Sequence, residues 1–428
     1  MEISILILSF LILISIRVPV AWALGISSLL TLMVSVDTFP AVTTIAQRLV
    51  TGLDSFSILA IPFFILAGHI MNKGGIAERL IAFAKSLVGA LPGGLAHVNI
   101  VAAMLFGAIA GSAGAAAAAI GGFMSEKMEE SGYDKGFGVA VNVTSATTGL
   151  IIPPSNIFII YSVASGGVSI GALFLAGYLP GIITGIFLMI VAYIWARKKG
   201  YPTADRSSFK MILSTFLDAL PSLFLLIVVI GGIVAGIFTA TEASSVAVIY
   251  CLVLAMIYKE ISIKDIRPIL VESSSTIAIV MLLIAVSIAM SWVLSYENIP
   301  QAVTQALLSL SDNKIMVIIL INIILLIVGI FMDMTPAVLI FTPIFLPVVM
   351  ELGIDPVHFG IIMVLNLCIG LCTPPVGAVL FIGVGVAKTT IQKVVRPLLP
   401  LFLAMILALV LVSIFPELSL WLPSLFGL

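Results

Sequence analysis

The residues that could bind a ligand lie beside interruptions in otherwise apolar sequence. In the first half of the chain they are hydroxyl and amide side chains around a double proline: Asn142, Thr144, Ser145, Thr147, Thr148, Ser155 and Asn156. In the second half they are fewer: Asp333, Thr335, Asn366 and Thr373. Such oxygens, with backbone carbonyls freed where a helix breaks, bind a hard cation such as sodium. Half-helix N-termini at the same breaks offer N–H groups and positive dipole ends, which suit an anionic substrate.

Backbone groups at the breaks are a second set of candidate ligands. Small residues interrupt one apolar run at 111–114, a second run is broken at 329–336, and double prolines follow at 153–154 and 374–375. Because unpaired backbone groups are costly in lipid, such breaks must face protein or a cavity. The predicted cation ligands are Gly111, Ser112, Asn142, Ser145, Gly149, Gly329, Asp333, Asn366, Gly370 and Thr373. The predicted substrate contacts are Ser112, Gly114, Ser155, Asn156 and Thr335.

Each candidate has a plainer alternative. A carboxylate at the centre of a bilayer costs about 2.5–3.5 kcal/mol on insertion scales, so we favour a cation-linked role for Asp333; the alternative is a helix cap that faces water. Glu242 follows Thr239 at capping distance, and we predict a cap there. Any one serine or threonine could simply bond to a carbonyl of its own helix. The small residues from Gly111 to Ala119 could serve only close helix packing.

The composition places the chain in a membrane. Of its 428 residues, 61% are hydrophobic and 9% are charged, and the mean hydropathy is +1.31; a soluble domain of this size carries far more charge. The cysteines and histidines show no metal-ligand spacing: Cys251, Cys368, Cys372, His69, His97 and His358. Because no H-E-x-x-H, G-x-S-x-G or P-loop pattern occurs, we expect no enzyme.

The long apolar runs predict the elements that position these residues. The runs at 94–124 and 314–350 exceed the roughly 20 residues of one span, so we predict re-entrant hairpins that return to the same side. The runs at 136–165 and 356–387 should cross as two half-helices, because a double proline interrupts each. The prediction is an all-α polytopic membrane protein of two inverted repeats: 1–210 with its hairpin at about 94–130, and 211–428 with its hairpin at about 314–350.

A shift of 221 residues supports the repeats. It places Gly149 on Gly370, Pro153-Pro154 on Pro374-Pro375 and Ser112 on Asp333, without a gap between hairpin and double proline. The same shift places Gly132 on Gly353 and Asp134 on Asp355. Chance could supply one Pro-Pro pair but not all of these matches together. Inverted repeats with broken helices near the midplane are typical of secondary transporters.

The basic residues predict the orientation. If the cluster Arg197, Lys198, Lys199, Arg206 and Lys210 is cytoplasmic, counting spans outward places nearly every other lysine and arginine there as well. Only Arg48 and Lys314 fall outside, as the positive-inside rule requires. Both termini are then periplasmic, the first hairpin opens to the cytoplasm, and the second opens outward.

An amphipathic stretch precedes each hairpin, at 75–90 and 298–310. Each could lie in the membrane interface, or it could be an arm that braces a moving domain against a fixed one. The two interpretations are compatible.

These stretches together resemble a known family. The segments that carry the likeness are 17–21, 61–68, 111–134, 152–155, 169–171, 174–177, 238–243 and 373–377. They resemble the large membrane subunit of tripartite ATP-independent periplasmic (TRAP) transporters over essentially the whole chain. The resemblance implies an elevator-type carrier of the bacterial inner membrane, coupled to sodium with two or more Na⁺ per cycle. It also implies two partners: a small four-helix membrane subunit and a periplasmic substrate-binding protein.

The predicted function is uptake of an organic acid anion with sodium. After the first Pro-Pro-Ser, the chain has Asn156-Ile157-Phe158 where many relatives have Ile-Pro or a similar pair. This departure, with the Ala-rich first hairpin tip, favours the sialic acid type over the C4-dicarboxylate type. The alternatives are a C4-dicarboxylate permease, a stand-alone sodium/anion symporter that needs no binding protein, and a membrane scaffold without transport.

Overall fold

The chain is helical throughout the part that the structure describes. The structure, a computed structural model, describes residues 2–203, 207–310 and 313–428, and Arg206 of the predicted cytoplasmic cluster lies outside these ranges. The helices are α1 (Glu2–Ser15), α2 (Val20–Ser35), α3 (Thr38–Gly52), α4 (Ala60–Lys73), α5 (Ile76–Val88), α6 (Gly94–Ala110), α7 (Ala113–Glu130), α8 (Lys135–Gly149), α9 (Asn156–Ala164), α10 (Ile170–Lys199), α11 (Phe209–Val234), α12 (Ala240–Ile257), α13 (Ile263–Tyr296), α14 (Ile299–Leu310), α15 (Lys314–Phe331), α16 (Met334–Glu351), α17 (Pro356–Gly370), α18 (Ala378–Val386), α19 (Ile391–Ile414) and α20 (Glu417–Leu425).

The two halves repeat the same series of helices. A shift of 221 residues carries the bounds of α7 and α8 onto those of α16 and α17, and brings α6 to within one residue of α15. The helix starts are built alike as well, because Asp134 caps α8 through Phe137 N (2.9 Å) and Asp355 caps α17 through Val357 N (2.7 Å). Both double prolines, 153–154 and 374–375, have cis peptide bonds. The predicted hairpins and broken helices are therefore confirmed as structural elements.

The first halves of the two broken helices meet in the centre of the molecule. The thiol of Cys368 donates to the carbonyl oxygen of Thr147 at 3.1 Å, and these residues are 221 positions apart. A residue that touches its own repeat equivalent lies on the axis that relates the repeats. The thiol of Cys372 is also within 3.2 Å of the Thr147 hydroxyl. Cys368 and Cys372 are buried packing residues in this contact between the repeats.

The outer surface is apolar along the long helices. Of the described helices, eight are long and apolar enough to cross a membrane. On α19, exposed side chains recur every three or four residues: Leu399, Leu403, Leu407, Val410 and Ile414. In water such a stripe would be costly, whereas lipid accommodates it. The α19 stripe is therefore a lipid-facing surface.

The amphipathic stretches form the separate helices α5 and α14. The guanidinium carbon of Arg79 lies 3.6 Å from the ring centroid of Tyr258, which joins α5 to the end of α12. The same guanidinium donates to the carbonyl of Gly75 at 2.8 Å. A cation over an aromatic face contributes about 0.5–1 kcal/mol at an exposed site. This contact holds the start of α5 against α12.

Candidate functional site

A cavity of about 460 Å³ lies between the two hairpin tips and two other helices. Its first wall comes from the hairpins and broken helices: Gly111, Ser112, Ala113, Gly114, Ala115, Leu150, Asn156, Ile157, Ile160, Asp333, Met334, Thr335, Leu371 and Val379. Its second wall, which we call the α4–α13 wall, comprises Ile61, Ile65, Gly68, His69, Asn72, Lys73, Glu272, Thr276 and Val280. The cavity has the size of an ordinary small-molecule site.

Four helix N-termini meet on the first wall. They are the starts of α7, α9, α16 and α18, represented by Ala113, Asn156, Met334 and Val379. Each N-terminus carries N–H groups without intrahelical partners and the positive end of a helix dipole. Four such ends place positive partial charges on the first wall, which carries no basic side chain of its own. This arrangement suits a carboxylate or a similar anion.

Helix C-termini come together beside the same tips, at pairs of glycines. A Cβ added to Gly107, in the last turn of α6, would lie 2.7 Å from Cα of Gly149, the last residue of α8. In the second repeat, a Cβ on Gly370 would lie 2.6 Å from Cα of Gly329. Each pair brings two carbonyl-bearing, negative dipole ends into contact. We call these contacts the glycine seams, and their polarity suits a cation.

The first hairpin tip is held in an unusual backbone conformation. Gly111 has a φ of 62°, in the left-handed region, and a Cβ there would lie 2.6 Å from Nδ2 of Asn156. Ser112 caps α7 by accepting a hydrogen bond from Ala115 N at 3.3 Å. Gly111, Ser112, Gly114 and Asn156 therefore lie together on the cavity.

We expect Gly111→Ala to weaken transport about tenfold, because the added methyl group would displace the Asn156 amide from the tip, and overpacking of this kind costs about 1–3 kcal/mol. The matched change is Gly132→Ala, at φ 81° with nothing within 4 Å of the added Cβ. Initial uptake rates at matched expression check this. Equal rates for the two variants would mean that the tip tolerates a shift of Asn156.

Asp333 occupies the N-cap position of α16, but its side chain makes no capping hydrogen bond. The carboxylate is instead exposed to the cavity, next to Thr335. The side-chain hydrogen bond by which an N-cap residue stabilises its helix is therefore missing at Asp333. Asp333 is the one acidic side chain that the described hairpins place on the cavity.

The remaining predicted ligands lie away from the cavity, within the packed helices. Ser155 is 1% exposed. Their bonds to backbone are Asn142 Nδ2 to Ala117 O at 2.8 Å, Ser145 Oγ to Val141 O at 2.7 Å, Asn366 Nδ2 to Asn322 O at 2.9 Å and Thr373 Oγ1 to Ile369 O at 2.7 Å. Two of them also bond a side chain: Ser145 Oγ to Asn99 Oδ1 at 3.1 Å and Asn366 Nδ2 to Asn322 Oδ1 at 2.8 Å.

Two of these amides keep an unused oxygen. The Oδ1 atoms of Asn142 and Asn366 are buried and have no hydrogen-bond partner. Buried polar atoms are almost always paired, so each such atom calls for an explanation. A carboxamide oxygen is a neutral ligand of the kind that sodium accepts; Asn366 lies about one turn before Gly370, and Asn142 about two turns before Gly149.

The α4–α13 wall contains polar residues that no local sequence pattern marks as ligands. His69, Asn72 and Lys73 share one face of α4, and Glu272 and Thr276 lie one turn apart on α13. Lys73 Nζ lies 2.6 Å from Glu272 Oε2. The i, i+4 spacing along each helix was visible, but nothing in the sequence indicated that α4 and α13 face each other here. Glu242, by contrast, forms the predicted capping box with Thr239.

Comparison with known proteins also indicates a TRAP transporter large permease, over nearly the whole chain. Residues 7–418 match the model of the DctM component of tripartite ATP-independent periplasmic transporters. YgiK of Salmonella typhimurium is 54% identical over 98% of this chain and 96% of its own length. The sialic acid TRAP transporter large permease SiaM of Vibrio cholerae is 39% identical over 89% of both chains. The C4-dicarboxylate TRAP transporter large permease DctM of Rhodobacter capsulatus is 38% identical over 96% of each.

A solved structure shares the fold. The YdaH transporter of Alcanivorax borkumensis matches with a TM-score of 0.68 at 12% identity, over 88% of this chain and 89% of that one. At this identity the likeness concerns the fold alone. The TRAP relatives are named as transporter permeases and not as enzymes, which confirms the prediction that the chain is not an enzyme. The chain belongs to the DctM family, the large permease subunits of TRAP transporters.

Proposed function

We propose that this permease carries an organic acid anion across the inner membrane, together with sodium ions that flow inward. The observation that carries the proposal is the meeting of four helix N-termini on one cavity. They would bind the anionic group of the substrate, with Ser112, Asn156 and Thr335 as further donors. Gly114 allows the substrate to approach the backbone closely.

Sodium would bind at the two glycine seams as a co-transported ion. Paired helix C-termini and the Asp333 carboxylate would supply oxygen ligands at the tips, and the unpartnered Oδ1 atoms of Asn366 and Asn142 would supply further ones about one and two turns along α17 and α8. Bound cations would draw the carbonyl ends together and thereby order the tips that hold the substrate. Two seams correspond to at least two ions per cycle.

The movement we propose is an elevator. The hairpins and broken helices would slide with the substrate, while α4 and α13 belong to the fixed scaffold. The cavity reaches Lys73 and Glu272, on the side that the basic residues predict to be cytoplasmic. This structure would then be the inward-facing state, in which substrate leaves.

The substrate belongs to the class of small organic acids. Relatives are named for C4-dicarboxylates, sialic acid, isethionate and 2,3-diketo-L-gulonate. These compounds share one anionic group attached to a compact polar body. C4-dicarboxylates and sialic acid are equally supported as substrates of this chain.

The partners would be those of a tripartite system. Large permeases of this family work with a small membrane subunit and a periplasmic binding protein. We propose that the small subunit has four helices and that the binding protein delivers the anion from the periplasmic side. The competing proposal is a stand-alone symporter, which would take the anion directly and need no binding protein.

Sodium coupling is tested by uptake into proteoliposomes that contain this permease and its small subunit, with its binding protein outside. We expect uptake to require an inward sodium gradient and to persist when a proton gradient is collapsed. The anions to supply are succinate, N-acetylneuraminate, isethionate and 2,3-diketo-L-gulonate. Equal uptake on a proton gradient without sodium would refute the coupling. Equal uptake without the binding protein would favour the stand-alone symporter.

A further inference from the structure

The α4–α13 wall carries one ion pair that faces the cavity. Lys73 Nζ and Glu272 Oε2 are 2.6 Å apart, with 43% and 56% of their side chains exposed. Lys73 is the last residue of α4, and Glu272 lies about two and a half turns into α13. The pair therefore joins two helices that are distant in sequence while remaining wetted by the cavity.

The position of the pair defines one end of the site. Along α4, the lining changes from Ile61 and Ile65 to His69 and Lys73. Along α13, the order is reversed: the lining is polar at Glu272 and becomes apolar at Val280. Both helices thus place their polar residues at the same end of the wall. A substrate whose carboxylate contacts the helix N-termini has its other end free to approach this polar end.

The pair is weak enough to exchange partners. An ion pair between exposed side chains contributes about 0.2–1 kcal/mol, because water competes for both charges. Lys73 has one ammonium group, and a carboxylate on a substrate can replace the carboxylate of Glu272 at little net cost. Glu272 would then be an unpaired anion beside the bound anion, and like charges repel.

We infer that Lys73 is a specificity-determining contact for a second anionic group on the substrate, and that Glu272 is its exchangeable counter-ion. The inference rests on the proposed function and narrows its substrate class to anions with two acidic groups. Glu272 has a defined effect in this scheme: by competing for Lys73 it lowers the affinity of the inward-facing site and speeds release. If the ion pair only held α4 against α13, its function would instead require opposite charges at positions 73 and 272 in either order.

The first test measures the inward-facing affinity in the complete transporter by succinate counterflow, with N-acetylneuraminate as the single-carboxylate comparator. We expect Lys73→Met to lower the affinity for succinate about tenfold and the affinity for N-acetylneuraminate much less. Glu272→Gln should raise the affinity for succinate several-fold and slow the release of succinate. The matched controls are Glu129→Gln and Lys135→Met, which break an exposed pair of 2.9 Å whose residues do not line the cavity.

The charge-swapped double variant, Lys73→Glu with Glu272→Lys, separates the two explanations. We expect succinate counterflow by this variant to remain defective, because the cation would then project from α13 rather than from α4. Wild-type counterflow in the double variant would show a brace and overturn the inference. Wild-type affinities in both single variants would overturn it as well.

The second test needs no transport, so it stays informative if no supplied anion is carried. Cys251, Cys368 and Cys372 are buried, so Thr276→Cys places an accessible thiol on the α4–α13 wall. We expect the ratio of reaction rates with a sulfonate-bearing and an ammonium-bearing methanethiosulfonate to rise several-fold when Glu272→Gln is added and to fall with Lys73→Met. A ratio that neither change alters would show that Lys73 does not act on anions in the cavity. Failure of all uptake with these ratios as expected would count against the proposed function alone.

Discussion

Replacing Gly370 by valine is expected to abolish transport and to lower the melting temperature of the purified protein. A Cβ at this position would lie 2.6 Å from both Cα and the carbonyl carbon of Gly329. Backbone cannot move aside as a flexible side chain can, so α17 and α15 would have to separate. Overpacking of a close contact lowers the stability of a protein by about 1–3 kcal/mol. Here it would also separate the helix ends that we propose to bind a sodium ion.

Gly149→Val should have the same effect in the first repeat, where the added Cβ would meet Ala103 O at 2.6 Å and Gly107 Cα at 2.8 Å. The matched control is Gly385→Val, on α18, where nothing lies within 4 Å of an added Cβ. Sodium-dependent uptake and thermal unfolding in detergent are the measurements. Uptake near the wild-type rate in either seam variant would show that the glycine contact is dispensable for transport.

Asp333→Asn is expected to reduce sodium-driven uptake by about a hundredfold or more while leaving the fold intact. The substitution keeps the size of the side chain and removes its charge. An electrostatic contact with a cation at about 4 Å is worth about 4 kcal/mol at an effective dielectric constant of 20, and each 1.4 kcal/mol changes an equilibrium tenfold. We therefore expect a higher sodium requirement and a smaller rise of the melting temperature on adding sodium.

Asp37→Asn is the matched control, because Asp37 is also an N-cap residue whose side chain makes no capping hydrogen bond, and it does not line the cavity. Its uptake and sodium dependence should equal those of the wild type. If Asp333→Asn kept the wild-type sodium dependence, Asp333 would not be a sodium ligand, and the glycine seams would have to hold the ions with neutral oxygens.

The residues at the breaks were predictable because local chemistry alone marks them. Gly111 and Asp333 interrupt apolar runs that lipid would otherwise accept, and the cost of unpaired backbone in a membrane makes such interruptions informative. The repeat then indicated that the two tips belong to one site. The placement of Gly111, Asn156 and Asp333 on one cavity follows from that symmetry.

The α4–α13 wall was not predictable in the same way. The apolar run that marks α13 covers about 274–295, whereas the helix begins at Ile263. Glu272 lies in the polar extension that a hydropathy search leaves out. In sequence, Lys73 is one of many basic residues on the predicted cytoplasmic side, and nothing local distinguishes it. Its role depends on a contact across 199 residues of sequence, for which no local pattern exists.

The contact between Thr147 and Cys368 has a consequence for how such a molecule can change over generations. In an assembly of two identical half-length chains, one mutation at the axis would alter both sides of the contact at once. In a single chain the two positions mutate separately, so position 147 can be a threonine while position 368, which donates to its backbone carbonyl at 3.1 Å, is a cysteine. Fusion of the halves thus lets the two ends of the site diverge, one rich in hydroxyl groups and the other carrying a carboxylate.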